Sequence, residues 1–182
     1  MSEQIRDEGG FVGEQELALL THEEETALDR YHRVTADLGN PILGHLGGEA
    51  LEMDEEAGEC LIAFAPRDEF FNPFGSVQGG VVAGMLDSTA AIAAVAKSRF
   101  TVITQTLELK TSYVMPVVVH SLKARGRCIR LGRSVIFSEA DLFDDKGRLL
   151  ARASMTGRPV PLDEVRALKR RADDLKRKIA QR

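Results

Sequence analysis

From Gly79 to Ala96 the chain runs almost without break through apolar residues rich in Ala, Gly and Val, and its only interruptions are Asp87, Ser88 and Thr89. Wound as a helix, this stretch is hydrophobic on every side and has no polar face to turn to water. Such a helix must be enclosed by the rest of the chain. Its central polar residues and its shortage of Leu and Ile make it a poor membrane span. It is therefore expected to be a core helix, and no membrane partner is expected.

The sequence on either side suggests what encloses it. Ala50 to Met53 and Cys60 to Phe64 read as two strands joined by a polar turn at Glu55 to Gly58, a simple hairpin. After the apolar stretch come four strand-like runs, near Val102 to Val114, Val118 to Leu131, Ser134 to Phe143 and Leu149 to Thr156. They are separated by Pro116, Gly132 and Asp144-Asp145-Lys146-Gly147, and they are expected to form an antiparallel meander. The layout predicts an α+β fold in which one antiparallel sheet wraps one central helix.

Both ends carry additions. Thr21 and Glu24 have the form of a capping box, and Ala27, Leu28, Tyr31, Val34 and Leu38 recur at helical spacing up to Gly39. This is expected to be an amphipathic helix on the core, preceded by a polar, loosely held tail to about Glu16. At the other end Val165, Leu168, Ala172, Leu175 and Ile179 make a narrow apolar seam of about two heptads. The expected division is a tail and helix over 1–40, a main domain over 41–160 and a basic C-terminal helix over 161–182. From Arg166 to Arg182 eight basic residues face two acidic ones, read as solvation of an exposed face or as an oligomer contact.

A chain of 182 residues has room for one domain with such additions. A net charge of −4 gives no support to a nucleic-acid partner. Cys60 and Cys128 are far apart, and His22, His32, His45 and His120 fall into no zinc or Ser-His-Asp pattern. No metal or cofactor is expected. The first eight residues lack the basic and apolar regions of a secretory signal, so a reduced, cytoplasmic setting is expected.

Asp87 is the anomaly. An unpaired carboxylate among Val, Ala, Met and Leu costs several kcal/mol. It is either satisfied structurally, by capping a kink or pairing with Arg99 or Arg133, or used chemically. Seven residues earlier, two turns away and on the same face, lies Gly80, preceded by Gly79. The first N–H groups of a helix have no intrahelical acceptor and carry partial positive charge, and glycine leaves them open to a ligand oxygen. They can serve as an oxyanion hole.

Together, Asn72, Gln78, Gly79, Gly80 and Asp87 form the pattern Asn-x5-Gln-Gly-Gly-x6-Asp. It resembles the active-site signature of the PaaI-like branch of the hot dog fold thioesterases. The resemblance extends roughly over residues 42–158, including Pro41 to Leu43, Leu107 to Pro116 and Leu131 to Ser134. It implies a six-stranded antiparallel sheet around a central helix, and a homodimer or homotetramer in which each active site draws on two chains.

The activity it implies is hydrolysis of an acyl-CoA, medium-chain or aromatic, to free acid and CoA. Asp87 would attack the thioester or activate water, Gly79 would donate its N–H to the thioester carbonyl, and Asn72 would orient the water or the carboxylate. Thr106 on the third strand would help place the water, with Thr104 as the alternative in a shifted register. Gln78 stands where family members often have histidine, and it can polarise the carbonyl without changing protonation. That suits a thioester, because a thiol of pKa about 8.5 leaves without strong acid assistance. Gly80, Arg130, Gly132, Arg133 and Ser134 are the candidate substrate-binding residues. The arginines would serve the CoA phosphates or, alternatively, simply keep a strand edge soluble. No histidine follows Asp87, so dehydration is not expected. The second reading is a non-catalytic acyl-CoA-binding protein acting as a sensor or structural partner.

Overall fold

The computed structural model describes residues 25–180. Helix α1 (Ala27–Leu38) is followed by a short helix α2 (Pro41–His45), strands β1 (Gly48–Asp54) and β2 (Glu59–Phe64), and the long helix α3 (Gly79–Lys97). Strands β3 (Val102–Tyr113), β4 (Leu122–Leu131), β5 (Ile136–Asp144) and β6 (Leu149–Pro161) come next, and helix α4 (Leu162–Ala180) ends the described chain.

Thr26 starts α1. Its hydroxyl accepts from the Asp29 N–H at 3.1 Å, and the Asp29 carboxylate accepts from the Thr26 N–H at 3.0 Å. The capping box expected at Thr21 and Glu24, like the tail before it, lies outside the described residues. Tyr31 and Val34 are the buried residues of α1, so its amphipathic face does lie on the core.

All six strands form one antiparallel sheet in the order β1-β2-β4-β5-β6-β3. The expected hairpin is present, but the expected four-strand meander is corrected. Only β4, β5 and β6 follow one another, whereas β3 lies at the far edge beside β6. Alternation of apolar and polar residues fixes which face of a strand turns inward and carries no record of its neighbour. Pairing of β2 with β4 instead joins the hairpin to the meander and lets one sheet curl over α3.

Three boundaries move as well. Val118 to Ser121 is a lead-in, and β4 starts at Leu122. The last strand runs on to Pro161, and α4 begins at Leu162. Pro161 is tolerated because it closes a strand, where its missing N–H interrupts no ladder.

The sheet presses closely on α3. Val82, Met85, Leu86, Thr89, Ala90, Ala93, Ala94 and Ala96 are buried. At the closest approach a Cβ on Gly126 of β4 would stand 2.5 Å from the Thr89 carbonyl oxygen and 3.0 Å from the Cys60 sulfur. Small residues on both surfaces therefore set the depth of the helix. Enclosure is incomplete on one strip: Gly80 is exposed, and Ala83, Gly84, Asp87, Ser88 and Ala91 are only half-buried. Gly126→Ala is expected to cost about 1–3 kcal/mol by overpacking this contact, measured as a lower urea midpoint at unchanged m-value.

Candidate active site

Asp87 sits on the uncovered strip of α3, half-buried. Its Oδ1 accepts a hydrogen bond from the Thr106 hydroxyl at 2.8 Å. Neither Arg99 nor Arg133 pairs with it among the described residues. Arginine pairing is thus not what satisfies this carboxylate, and among the described residues its second oxygen has no protein donor. Thr104, the alternative to Thr106, instead turns its hydroxyl to the Ala91 carbonyl at 3.3 Å.

A bulge puts Thr106 there. β3 pairs Thr106 with Gly157 of β6 and then Glu108 with Thr156, so Leu107 is the extra residue. Beyond the bulge Leu109 and Tyr113 lie on the helix side, and unbroken alternation back from them would have turned Leu107 inward instead. The bulge reverses that parity and aims Thr106 at α3.

Gly79 and Gly80 open α3, and Gln78, its N-cap, places no side chain over their N–H groups. Neither N–H has a protein acceptor among the described residues. Gln78 is exposed; its backbone N–H donates to the Phe70 carbonyl at 2.8 Å and its own carbonyl accepts from Val81 and Val82. Tyr113, which the sequence gave no reason to single out, donates its hydroxyl to the Gly79 carbonyl at 2.8 Å. A Cβ on Gly79 would lie 3.3 Å from the Tyr113 ring. The tyrosine therefore fixes the helix start without covering its free N–H groups.

Asn72 is held by its own loop. Its Oδ1 accepts from the Phe74 N–H at 2.9 Å and its Nδ2 donates to the Ser76 hydroxyl at 3.1 Å. The side chain is engaged in closing its own loop, and it shapes the entry to Gln78 and Gly79.

Within one chain these groups fall into two clusters. Asp87, Ser88, Thr104 and Thr106 line a cavity of about 390 Å³. Asn72, Gly79 and Tyr113 line a separate, more open hollow of about 380 Å³. Along α3, Gly79 and Asp87 are eight residues or about 12 Å apart. The carboxylate and the helix-start N–H groups thus open into different hollows of the chain. Arg130 lies near the end of β4, and Gly132, Arg133 and Ser134 belong to the β4–β5 turn, closed by the Gly132 N–H to the Val135 carbonyl at 2.9 Å. None of the four lines the Asp87 cavity.

One curled antiparallel sheet around a single central helix is the hot dog fold, and its central helix carries a half-buried carboxylate and a start with open backbone N–H groups. The family model described as the thioesterase superfamily matches residues 74–151, a span that includes Gln78, Gly79, Gly80, Asp87 and Thr106. A solved phenylacetic acid degradation-related protein from Ralstonia eutropha JMP134, assigned as a thioesterase, is 32% identical, with a TM-score of 0.65 over 72% of this chain and 98% of that one. The PaaI protein of the E. coli phenylacetic acid degradation operon is 14% identical, with a TM-score of 0.65 over 74% of this chain and 93% of its own. A Streptococcus mutans protein solved with acetyl CoA is 16% identical, with a TM-score of 0.57 over 63% and 89%. The chain belongs to the thioesterase superfamily, in its PaaI-like branch.

Thr106→Val is expected to lower thioester turnover by about tenfold to a hundredfold, the worth of a hydrogen bond to a charged group. Thr104→Val should leave turnover within about threefold of wild type, both read from steady-state thiol release.

Proposed function

We propose that this protein hydrolyses acyl-CoA thioesters, with a medium-chain or aromatic acyl group, to free acid and CoA. The observation that carries this reading is the Thr106 to Asp87 hydrogen bond, made by two residues that line a cavity of about 390 Å³. By donating to one carboxylate oxygen, Thr106 leaves the other oriented for a water molecule or for the thioester carbon itself.

In the hydrolytic step Asp87 takes a proton from water as the water oxygen bonds to the carbonyl carbon. Charge developing on the carbonyl oxygen is met by the Gly79 and Gly80 N–H groups, and Gln78 adds a neutral donor. The C–S bond then breaks and the CoA thiolate leaves. It needs little acid assistance, which is why glutamine suffices where histidine would otherwise stand. If Asp87 attacks directly, the same donors serve an acyl-aspartate anhydride that water later opens.

The 12 Å separation along α3 supports an oligomer, homodimer or homotetramer, in which the helix start of one subunit meets Asp87 and Thr106 of another. The acetyl CoA bound by the Streptococcus mutans relative supports a CoA ester as ligand. Arg130 and Arg133 at the β4–β5 turn, without ion pairs among the described residues, are offered as partners for CoA phosphates. We place the activity in the cytoplasm, and the two buried free thiols, Cys60 and Cys128, are consistent with a reducing compartment.

Thiol release should be measured across acyl-CoA esters of graded chain length and aromatic acyl groups. The expected result is turnover by the wild type and a loss of about 10²–10⁴-fold in Asp87→Asn. A wild type that binds CoA but releases no thiol from any ester would make it a binding protein and overturn the enzymatic reading. Mixing unfolded Asp87→Asn and Gly79→Val subunits and refolding them should restore activity that neither variant has alone. No recovery in confirmed hybrids would rule out a shared site.

A further inference from the structure

We infer that the acyl group lies along α3 in the 390 Å³ cavity, that helices α1 and α4 form its outer wall, and that Val165 of α4 sets its length limit. The favoured substrate is then an unsubstituted medium-chain acyl group rather than an aromatic one. This rests on the proposed function of the Asp87 site.

The direction of the cavity follows from its lining. Asp87, Ala91 and Val95 recur every four residues and form one stripe of α3. β3 runs beside it in the opposite sense, because Thr106 bonds Asp87 while Thr104 bonds the Ala91 carbonyl. Ile103 therefore lies further on, toward Val95 and the buried Phe100. From Asp87 to Val95 the stripe is about 12 Å long. An extended alkyl chain advances about 1.25 Å per carbon, given C–C bonds of about 1.52 Å, so about ten carbons reach the far end.

That far end is closed from outside the core. α4 leaves β6 there, its Leu162 N–H held by the Thr101 carbonyl at 2.9 Å, and Val165 lines the cavity one turn later. The helix is tied over the groove by Arg166 to the Asp37 carboxylate at 2.7 Å and by Lys169 to the Asp37 carbonyl at 2.5 Å. Both partners belong to the last turn of α1, whose Val34 and Leu38 form the adjoining wall.

Apart from Ser88 beside Asp87, the lining has little to recognise a polar acyl group. Thr35 turns its hydroxyl back to the Tyr31 carbonyl at 2.8 Å, Asn40 accepts from the Leu43 N–H at 3.3 Å, and Lys169 is held on Asp37. The volume is also more than twice the roughly 150 Å³ that accommodates benzene. A phenyl ring would leave most of the apolar surface uncovered, whereas a medium chain covers its full length.

The test is the affinity of S-alkyl-CoA thioethers, which cannot be hydrolysed, measured by calorimetry for chains of four to sixteen carbons and for S-benzyl-CoA. Wild type should bind most tightly near ten carbons and weakly to the benzyl probe. Val165→Phe should move the optimum to shorter chains, weakening the decyl probe relative to the butyl probe by about tenfold or more. Val165→Ala should move it to longer chains, and it serves as the second variant if the phenylalanine disturbs folding. The same chain-length profile in wild type and Val165→Ala would overturn the inference, even where thioester hydrolysis is intact. A shifted profile would uphold it, even in a protein that hydrolyses no ester.

Discussion

Everything in this fold is arranged around the burial of one helix that has no face suited to water. α3 is made of small residues, and the sheet meets it with a small residue of its own. At Gly126 the strand backbone comes so close to the Thr89 carbonyl that a methyl group would not fit. Even the fully buried Thr89 keeps its hydroxyl within the helix, on the Met85 carbonyl at 2.8 Å. With the helix this deep, six strands cover most of its circumference and leave a single strip. That strip contains Gly80 and Asp87, the two positions with chemistry to offer.

The chemistry is held from the edge of the sheet. β3 contributes both Thr106, which orients the carboxylate, and Tyr113, which pins the carbonyl of Gly79. These contacts come from the middle and the end of one strand, and a bulge between them keeps both side chains on the helix side. β3 is also the strand that leaves the meander, so the residues serving the helix strip lie at a free sheet edge. The carboxylate and the backbone donors open into separate hollows, both bordered by this edge strand.

The added helices belong to the same design. α1 and α4 meet through Asp37, Arg166 and Lys169, so part of the basic run of α4 is packed against the body rather than merely solvated. The Arg166 guanidinium holds the Asp37 carboxyl below its ordinary range. Leu168 within this clasp and Leu175 and Ile179 beyond it are each more than half exposed, and the seam continues past the surface that holds the first turns.

The sequence by itself determined the order of the long helices and the strands, though not the short helix α2 or every boundary, that the apolar helix is the core, and that Asp87 and the glycine pair at the helix start are the chemically unusual positions. These follow from local rules: side-chain period, turn residues and the cost of a charge among apolar neighbours. Only the tertiary structure decided that β3 lies beside β6, that the bulge at Leu107 turns Thr106 toward Asp87, and that Asn72 is engaged in its own loop. It also separated Gly79 from Asp87 and brought Val165 to the end of the cavity. The physical reason is that strand alternation encodes a face and not a neighbour, and that a linear spacing of seven or eight residues becomes about 10–12 Å once it is wound into a helix. A signature that reads as one run along the chain is, in space, two clusters that line separate hollows.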